Sequence, residues 1–402
     1  VSPPRRVLIL TSDTGAGHRS VSNALMAAIR AQPERSLEPI DLDPFAPLPR
    51  SLGGPEERPR RSLVDRVVGL YGPVIVHAPW LWGAIFRLTN NSLALRLFAA
   101  AFAVVPLRRL RAAIERTDAA ALVSVHPLAN HLMVAARRRM SHPALPLMTV
   151  VTDLVDVHRW WAAPGVDQYV AGTDLAAARL RDLGIAPQRI AVLGIPIRSE
   201  FYSQGFTTRE MRQRLGLDVE RAMVLLMGGG DGAGRLAATA QAIARTAPAR
   251  AGRLQLVVLA GRNERARRAL EAQASRAWPM PARICGIVHN VAELMAAADV
   301  IVTKPGSLTI SEALATGKPL VLGPPLPGQE EGNVPYVVRA GAGLAYRSPA
   351  EAAEAVELLL ADPSLRWEMG QRAARLSRPR ATERTLDLLQ GLVLRAQAAA
   401  RR

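Results

Sequence analysis

Cysteine is nearly missing from this chain. Cys285 is the single one among 402 residues, which excludes an internal disulfide framework and any multi-cysteine metal site, and fits a reducing compartment. Aromatic residues are sparse, at 4%. Lysine is rarer still: Lys304 and Lys318 are the only two, and every other basic residue is arginine. No histidine pair has metal-ligand spacing. Asp41-Leu42-Asp43 has the form of a metal-binding acid pair, but it stands early, before the proline-rich residues 44–59, and reads as a strand end. The longest stretch without a formal charge, Val67–Phe86, reaches membrane-spanning length. Pro73, Pro79, glycines and His77 interrupt it, so a spanning helix is not expected. No secretory signal is expected either, because Val1 to Arg6 lead straight into the strand-like Val7–Leu10.

What is present points to layered α/β structure. Hydrophobic residues make up 49% of the chain, much of it Ala, Leu and Val, and the length suits two domains. The formal charge of +17 favours anionic partners such as phosphates or acidic lipid surfaces. No recognition helix or aromatic RNA-binding signature appears, so no nucleic-acid partner is expected. Apolar runs at Val7–Leu10, Ala120–Val125, Leu147–Thr152, Gln168–Ala171 and Ile190–Leu193 read as one strand series. A second series comprises Met223–Met227, Leu254–Ala260, Ala282–Val288, Val300–Thr303 and Pro319–Leu322. Helical segments such as His18–Arg30 and Ala233–Arg245 lie between them. Strand–helix alternation predicts parallel sheets covered on both faces. The expectation is α/β, with two doubly wound domains: residues 1–198, a linker over 199–221, and residues 222–378. The helical residues 379–402 can pack on either domain.

In open parallel sheets, ligands bind beyond the carboxyl ends of the strands. The first such loop, Thr11-Ser12-Asp13-Thr14-Gly15-Ala16-Gly17-His18, is neither a dinucleotide fingerprint nor a P-loop. Its glycines let backbone amides approach an anion. His18 is a candidate proton acceptor, or simply a helix-capping or phosphate-contacting residue. The second loop, Met227-Gly228-Gly229-Gly230-Asp231-Gly232, suits a backbone that passes close to a ligand, though packing alone also uses glycines. The densest segment is Lys304-Pro305-Gly306-Ser307-Leu308-Thr309, which turns into a helix containing Glu312. Ser307 and Thr309 stand where first-turn groups suit a diphosphate. Glu312, a turn later, suits a ribose diol. Gln329 and Glu330, set among prolines and glycines, carry the groups that read sugar hydroxyls; Glu331 reads as a solvated turn. His126 and His158 lie on ligand-side loops, and His77, His131, His142 and His289 read as structural or exposed. Residues 62–110 bring Tyr71, Trp80, Trp82, Phe86, Phe98 and Phe102 together with Arg66, Arg87, Arg96, Arg108 and Arg109. That mixture suits a membrane interface; the plainer reading is a core helix pair with a basic outer face.

Together these segments resemble the monogalactosyldiacylglycerol synthase and diacylglycerol glucosyltransferase family, within glycosyltransferase family 28. The matching stretches are Ser12–Arg19, Thr149–Leu154, Gly228–Gly232, Cys285-Gly286, Thr303–Gly306 with Thr309–Leu314, and Pro327–Glu330 with Gly332–Val337. The resemblance implies the GT-B arrangement, two Rossmann-like domains facing a cleft, with the lipid acceptor on the first and a UDP-hexose on the second. It implies inversion at the anomeric carbon, no metal or other cofactor, and peripheral residence on the cytoplasmic side of a membrane without spanning it. Diacylglycerol and a membrane surface, anionic lipid included, are the implied partners. On the matching motifs, His18 is the candidate base, with Asp13 beside it. The donor would meet Gly229, Gly230, Asp231, Gly286, Ile287, Gly306, Ser307, Leu308, Thr309, Glu312, Gln329 and Glu330. The acceptor would meet Gly15, Ala16, Gly17, His126 and Trp160, and Trp80, Trp82 and Arg87 would meet the membrane. Ala16 and Asp231 depart from the family pattern, usually glycine and often glutamate. Galactose and glucose remain alternatives, as do a polyprenol-linked or sterol-like acceptor and, in another reaction class, a UDP-sugar 2-epimerase.

Overall fold

The computed structural model describes residues 4–12, 16–33, 36–46, 52, 74, 78–102, 104–140, 145–202, 205–229, 235–246 and 253–400. Asp13, Gly15, Tyr71, Gly230 and Asp231, singled out above, lie outside them, as does the side chain of Ala16.

The first compact unit holds residues 1–197, 327–329 and 380–402. Its elements run β1 (Arg5–Leu10), α1 (Ala16–Arg30), β2 (Leu37–Leu42), α2 (Pro79–Thr89), α3 (Ser92–Phe102), α4 (Val104–Thr117), β3 (Ala121–Ser124), α5 (Pro127–Arg137), β4 (Leu147–Val150), β5 (Gln168–Ala171), α6 (Asp174–Asp182) and β6 (Ile190–Val192). Six parallel strands form one sheet in the order β2-β1-β3-β4-β5-β6. Val7 to Leu10 of β1 are fully buried, as central strands covered on both faces must be. The last helix of the chain, Ala381–Ala400, packs on α1, where Gln390 donates to Gln32 at 3.1 Å. Thr382 ties the start of that helix to the Ile197 carbonyl at 2.6 Å.

The second unit holds residues 198–326 and 330–379. It continues with α7 (Thr208–Arg214), β7 (Ala222–Met227), α8 (Leu236–Thr246), β8 (Leu254–Leu259), α9 (Glu264–Ala277), β9 (Ala282–Cys285), α10 (Val291–Ala297), β10 (Val300–Thr303), α11 (Ser307–Ala315), β11 (Leu320–Leu322), α12 (Asn333–Arg339), β12 (Gly343–Ala345), α13 (Pro349–Ala361) and α14 (Pro363–Leu376). Its six parallel strands run β12-β11-β10-β7-β8-β9. Residues 199–221, expected as a linker, contain the capping-box helix α7, whose Arg212 is buried and bonded to the Ala297 carbonyl.

Two strands lie outside the two apolar series: β2, of which the sequence marks only the end at Asp41-Leu42-Asp43, and β12. Both are edge strands. β2 alternates buried and exposed residues and contains Pro39, which only an edge tolerates. β12 is three residues long. A Cβ on its Gly343 would stand 2.6 Å from the Leu320 carbonyl oxygen. Gly343→Ala should therefore lower the melting midpoint of the protein, with a cost of about 1–3 kcal/mol, the usual range for overpacking; unchanged melting would show that β12 shifts freely.

Candidate functional site

Each sheet reverses its strand order once. In the first, the chain moves outward from β1 to β2, then returns to the other flank of β1 with β3. Such a reversal is where open parallel sheets bind ligands, beyond the strands' carboxyl ends. His18, third residue of α1, stands on one side of it and His126, directly before α5, on the other. Their rings meet edge to face at 5.0 Å, with Trp161 6.0 Å from His18 and Phe45 5.6 Å from His126. Among the described residues, a Cβ on Gly17 would touch nothing within 4 Å.

β4 delivers Thr152 and Asp153, both buried, to the same end. Thr152 Oγ1 lies 3.1 Å from His18 Nδ1. Burial lowers His18 to about 4, against a hydrogen bond to the Val125 carbonyl that acts the other way. The imidazole is therefore neutral at pH 7, the form that accepts a proton. His126 is held well below its ordinary value, first by burial and then by His18. Asp153 is raised to about 6 by burial. Trp161 Nε1 donates to it at 2.7 Å and the His158 amide at 3.3 Å.

His158 is a joint. Its Nδ1 accepts from the Trp160 amide at 3.3 Å, which leaves Nε2–H to donate to the Phe86 carbonyl at 3.2 Å. This fixes α2 to the loop after β4. Residues 327–329 also belong to this unit. Gly328, at φ +83, sits against the Phe86 ring, and a Cβ on Gly83 would stand 2.6 Å from Pro327 Cβ. Gln329, expected on the sugar, hydrogen-bonds Asp153, and its Oε1 is buried without a partner among the described residues. Trp160, expected on the acceptor, is half-buried, with its carbonyl 3.0 Å from His131 Nε2. On α2, Trp80 and Arg87 are exposed and Trp82 is half-buried.

The second sheet reverses between β7 and β10. Gly229, after β7, adopts φ +71, and a Cβ there would stand 3.0 Å from Lys304 Cε. Lys304, after β10, pairs with Glu330 at 2.7 Å. The other oxygen of Glu330 accepts from the Leu326 amide at 3.0 Å, so both oxygens of this expected sugar-reading group have protein partners, one in the loop after β10 and one in its own. Gly306 precedes α11 and has no side chain with which to cap it; Ser307, Leu308 and Thr309 form the first turn, the end of a helix that suits an anion. Asn333 braces this turn, donating to the Pro305 carbonyl at 2.9 Å and to Ser307 Oγ at 3.3 Å. Glu312 follows on α11, half-buried, and burial raises it to about 8 despite the opposing charge of Arg198. Gly286 and the exposed Ile287 follow β9.

The structure thus gathers His18 and His126 at one reversal, and Gly229, Gly306, Ser307 and Glu330 at the other. Thr152, Asp153, Lys304 and Asn333 lie in the motif stretches quoted from the sequence but received no role there, and Arg198 carried no signal in the sequence. Among the described residues, no group of three or more His, Cys, Asp and Glu side chains stands close enough to hold a metal ion.

Two family models match the chain: Monogalactosyldiacylglycerol (MGDG) synthase over residues 60–197, and Glycosyltransferase family 28 C-terminal domain over residues 223–383. A probable monogalactosyldiacylglycerol synthase 2, chloroplastic, from Oryza sativa subsp. japonica is 37% identical over 88% of this chain and 73% of its own. The monogalactosyldiacylglycerol synthase, chloroplastic, of Spinacia oleracea is 33% identical over 97% of this chain and 73% of its own. A solved glycosyltransferase from Rickettsia africae aligns with a TM-score of 0.57 at 12% identity, covering 98% of this chain and 99% of its own. That likeness shows the fold, two Rossmann-like domains.

Glu312 generates a test by its protonation. Its folded value near 8 exceeds the ordinary 4.5, so the folded state retains a proton that the unfolded chain has lost between those pH values. The stability this proton supplies is complete below about pH 4.5 and is lost as pH rises through about 8. Glu312→Gln should therefore melt close to the unmodified protein at pH 5 and progressively above it toward pH 8. A gap independent of pH would show an ordinary carboxylate.

Proposed function

The chain belongs to the monogalactosyldiacylglycerol synthase family of glycosyltransferases, and from that membership we propose that it moves galactose from UDP-galactose to the free hydroxyl of diacylglycerol. The observation that carries the chemistry is the neutral, half-buried His18 at the carboxyl end of β1, 3.1 Å from Thr152 Oγ1. In this reading His18 accepts the proton of the acceptor hydroxyl. The oxygen attacks the anomeric carbon from the face opposite UDP, and the bond to the β-phosphate oxygen breaks with its electron pair. The configuration inverts.

The leaving diphosphate gains negative charge. The amides at the start of α11 suit it, as backbone donors at the end of a helix that favours negative charge. Glu312 takes the ribose, and Ile287 with Gly286 borders the uracil. Lys304 and Glu330 hold the two glycine-bearing loops in register. No metal is required in this reading, because the helix start and the nearby cations supply the counter-charge.

Membrane contact is assigned to α2 and α3. Trp80, Leu88, Leu93 and Leu97 are each more than 60% exposed, beside the exposed Arg87 and Arg96. Apolar groups interleaved with arginines suit a surface of anionic lipid. Among the described residues no helix is long and apolar enough to cross a membrane.

The decisive assay offers UDP-galactose and UDP-glucose in parallel, with and without diacylglycerol. UDP release should require diacylglycerol and favour the galactose donor; release without acceptor would overturn the transfer reading. His18→Ala should lower kcat by about 10²–10⁴, the span of a general base, while UDP affinity holds. A collapse of UDP affinity with kcat preserved would remove His18 from that role. In vesicle flotation, Trp80→Ser with Leu88→Ser should weaken binding to any bilayer, and Arg87→Gln only to anionic ones. Equal flotation of all three with the unmodified protein would remove α2 from the membrane contact.

A further inference from the structure

A cavity of about 290 Å³ lies at the opposite end of the second sheet, by the amino ends of β10 and β11. It is separated from the loops after β10 by the length of that strand, about 13 Å at the usual rise. Asp299 and Lys318 line it together with residues of α14, Arg366, Trp367 and Gly370 among them. That helix packs closely here: a Cβ on Gly370 would stand 2.6 Å from the Gly317 carbonyl oxygen, where the chain turns at φ +64.

The charges here do not balance. Lys318 donates one of its three N–H groups to Thr208 Oγ1 at 2.8 Å. Among the described residues, Asp299 is the acid acting on it. That carboxylate is already engaged by Arg212 and by the Met223 amide at 2.7 Å. Arg366 gives one N–H to the Leu359 carbonyl at 3.2 Å. Three cations therefore surround one anion, leaving two positive charges in excess. Burial, with Arg212 and Arg366 adding to it, pushes Lys318 down to about 8, so it stays charged at neutral pH. Meanwhile Trp367 stands 66% exposed.

The composition sharpens the point. The chain uses arginine for every cation except Lys304 and Lys318. Lys304 serves a site at the carboxyl end of β10, and Lys318 stands beside this cavity. A compact ammonium with several rotatable donors suits a small enclosed anion better than a planar guanidinium would.

We infer that this cavity binds a phosphate-bearing ligand, with Lys318 and Arg366 on the phosphate oxygens and the Trp367 ring against its organic part. A phosphate dianion matches the excess of two charges, whereas a carboxylate would leave one unmatched. The site is separate from the transfer reaction and stands or falls without it. A soluble phosphorylated metabolite and a phospholipid headgroup offer the same chemistry.

The test titrates inorganic phosphate into the full chain by calorimetry, with saturating UDP present so that the diphosphate subsite is filled. The unmodified protein should bind about one equivalent. Arg366→Gln and Lys318→Gln should each weaken that binding at least tenfold, with UDP affinity unchanged. Should Lys318→Gln fail to fold, Arg366→Gln carries the comparison alone. Flotation with phosphatidic acid or phosphatidylcholine vesicles then separates the sources. Loss of phosphatidic acid binding in Arg366→Gln assigns the headgroup; undiminished flotation with lost phosphate binding assigns the soluble ligand. The inference is overturned if neither phosphate nor phosphatidic acid vesicles distinguish the unmodified protein from Arg366→Gln.

Discussion

The reversal of strand order in each sheet is the constraint on which the candidate sites depend. Parallel strands need crossover connections that pack back on the sheet with one handedness. A chain that builds outward from β1 to β2 must then restart on the other side of β1. In open parallel sheets such a restart is where ligands bind, beyond the carboxyl ends of the strands. His18 and His126 meet at such a restart between β1 and β3, and Gly229 and Lys304 at the equivalent one between β7 and β10. Neither pair is close in sequence. Their encounter follows from topology, and the fully buried central strands hold it rigid.

A second consequence is electrostatic. Groups drawn to these strand ends leave water, and burial penalises whichever form is charged. His18 and His126 are pushed toward the neutral imidazole, and Asp153 and Glu312 toward the neutral acid. The Lys304–Glu330 pair differs, since each charge there has its counter-ion at 2.7 Å. An arriving nucleotide diphosphate would meet backbone amides and a paired lysine rather than a field of competing carboxylates. The Lys318 cavity differs in this respect, since its cations outnumber its acids.

The sequence by itself determined the fold class and most of the loops that matter. Buried parallel strands must be continuous apolar runs, so β1, β7, β8 and β10 stand out in any reading. Glycine and proline at strand ends mark the ligand side, because few other residues allow those turns. The ordered motifs around His18, Lys304 and Gln329 then identified the family. Of the edge strand β2 only the end at Leu42 was legible, since exposed residues interrupt its apolar ones, and β12 is too short to show a period. Tertiary structure alone decided the partners of individual side chains. Asp153 and Gln329 read as unrelated residues until the chain brings them into one hydrogen bond. Glu330 reads as a free carboxylate until Lys304 and the Leu326 amide occupy it. Lys318 reads as one cation among many until burial isolates it beside Arg212 and Arg366. Periodicity encodes which face a residue takes; which distant residue it meets there depends on strand order, and that no local pattern records.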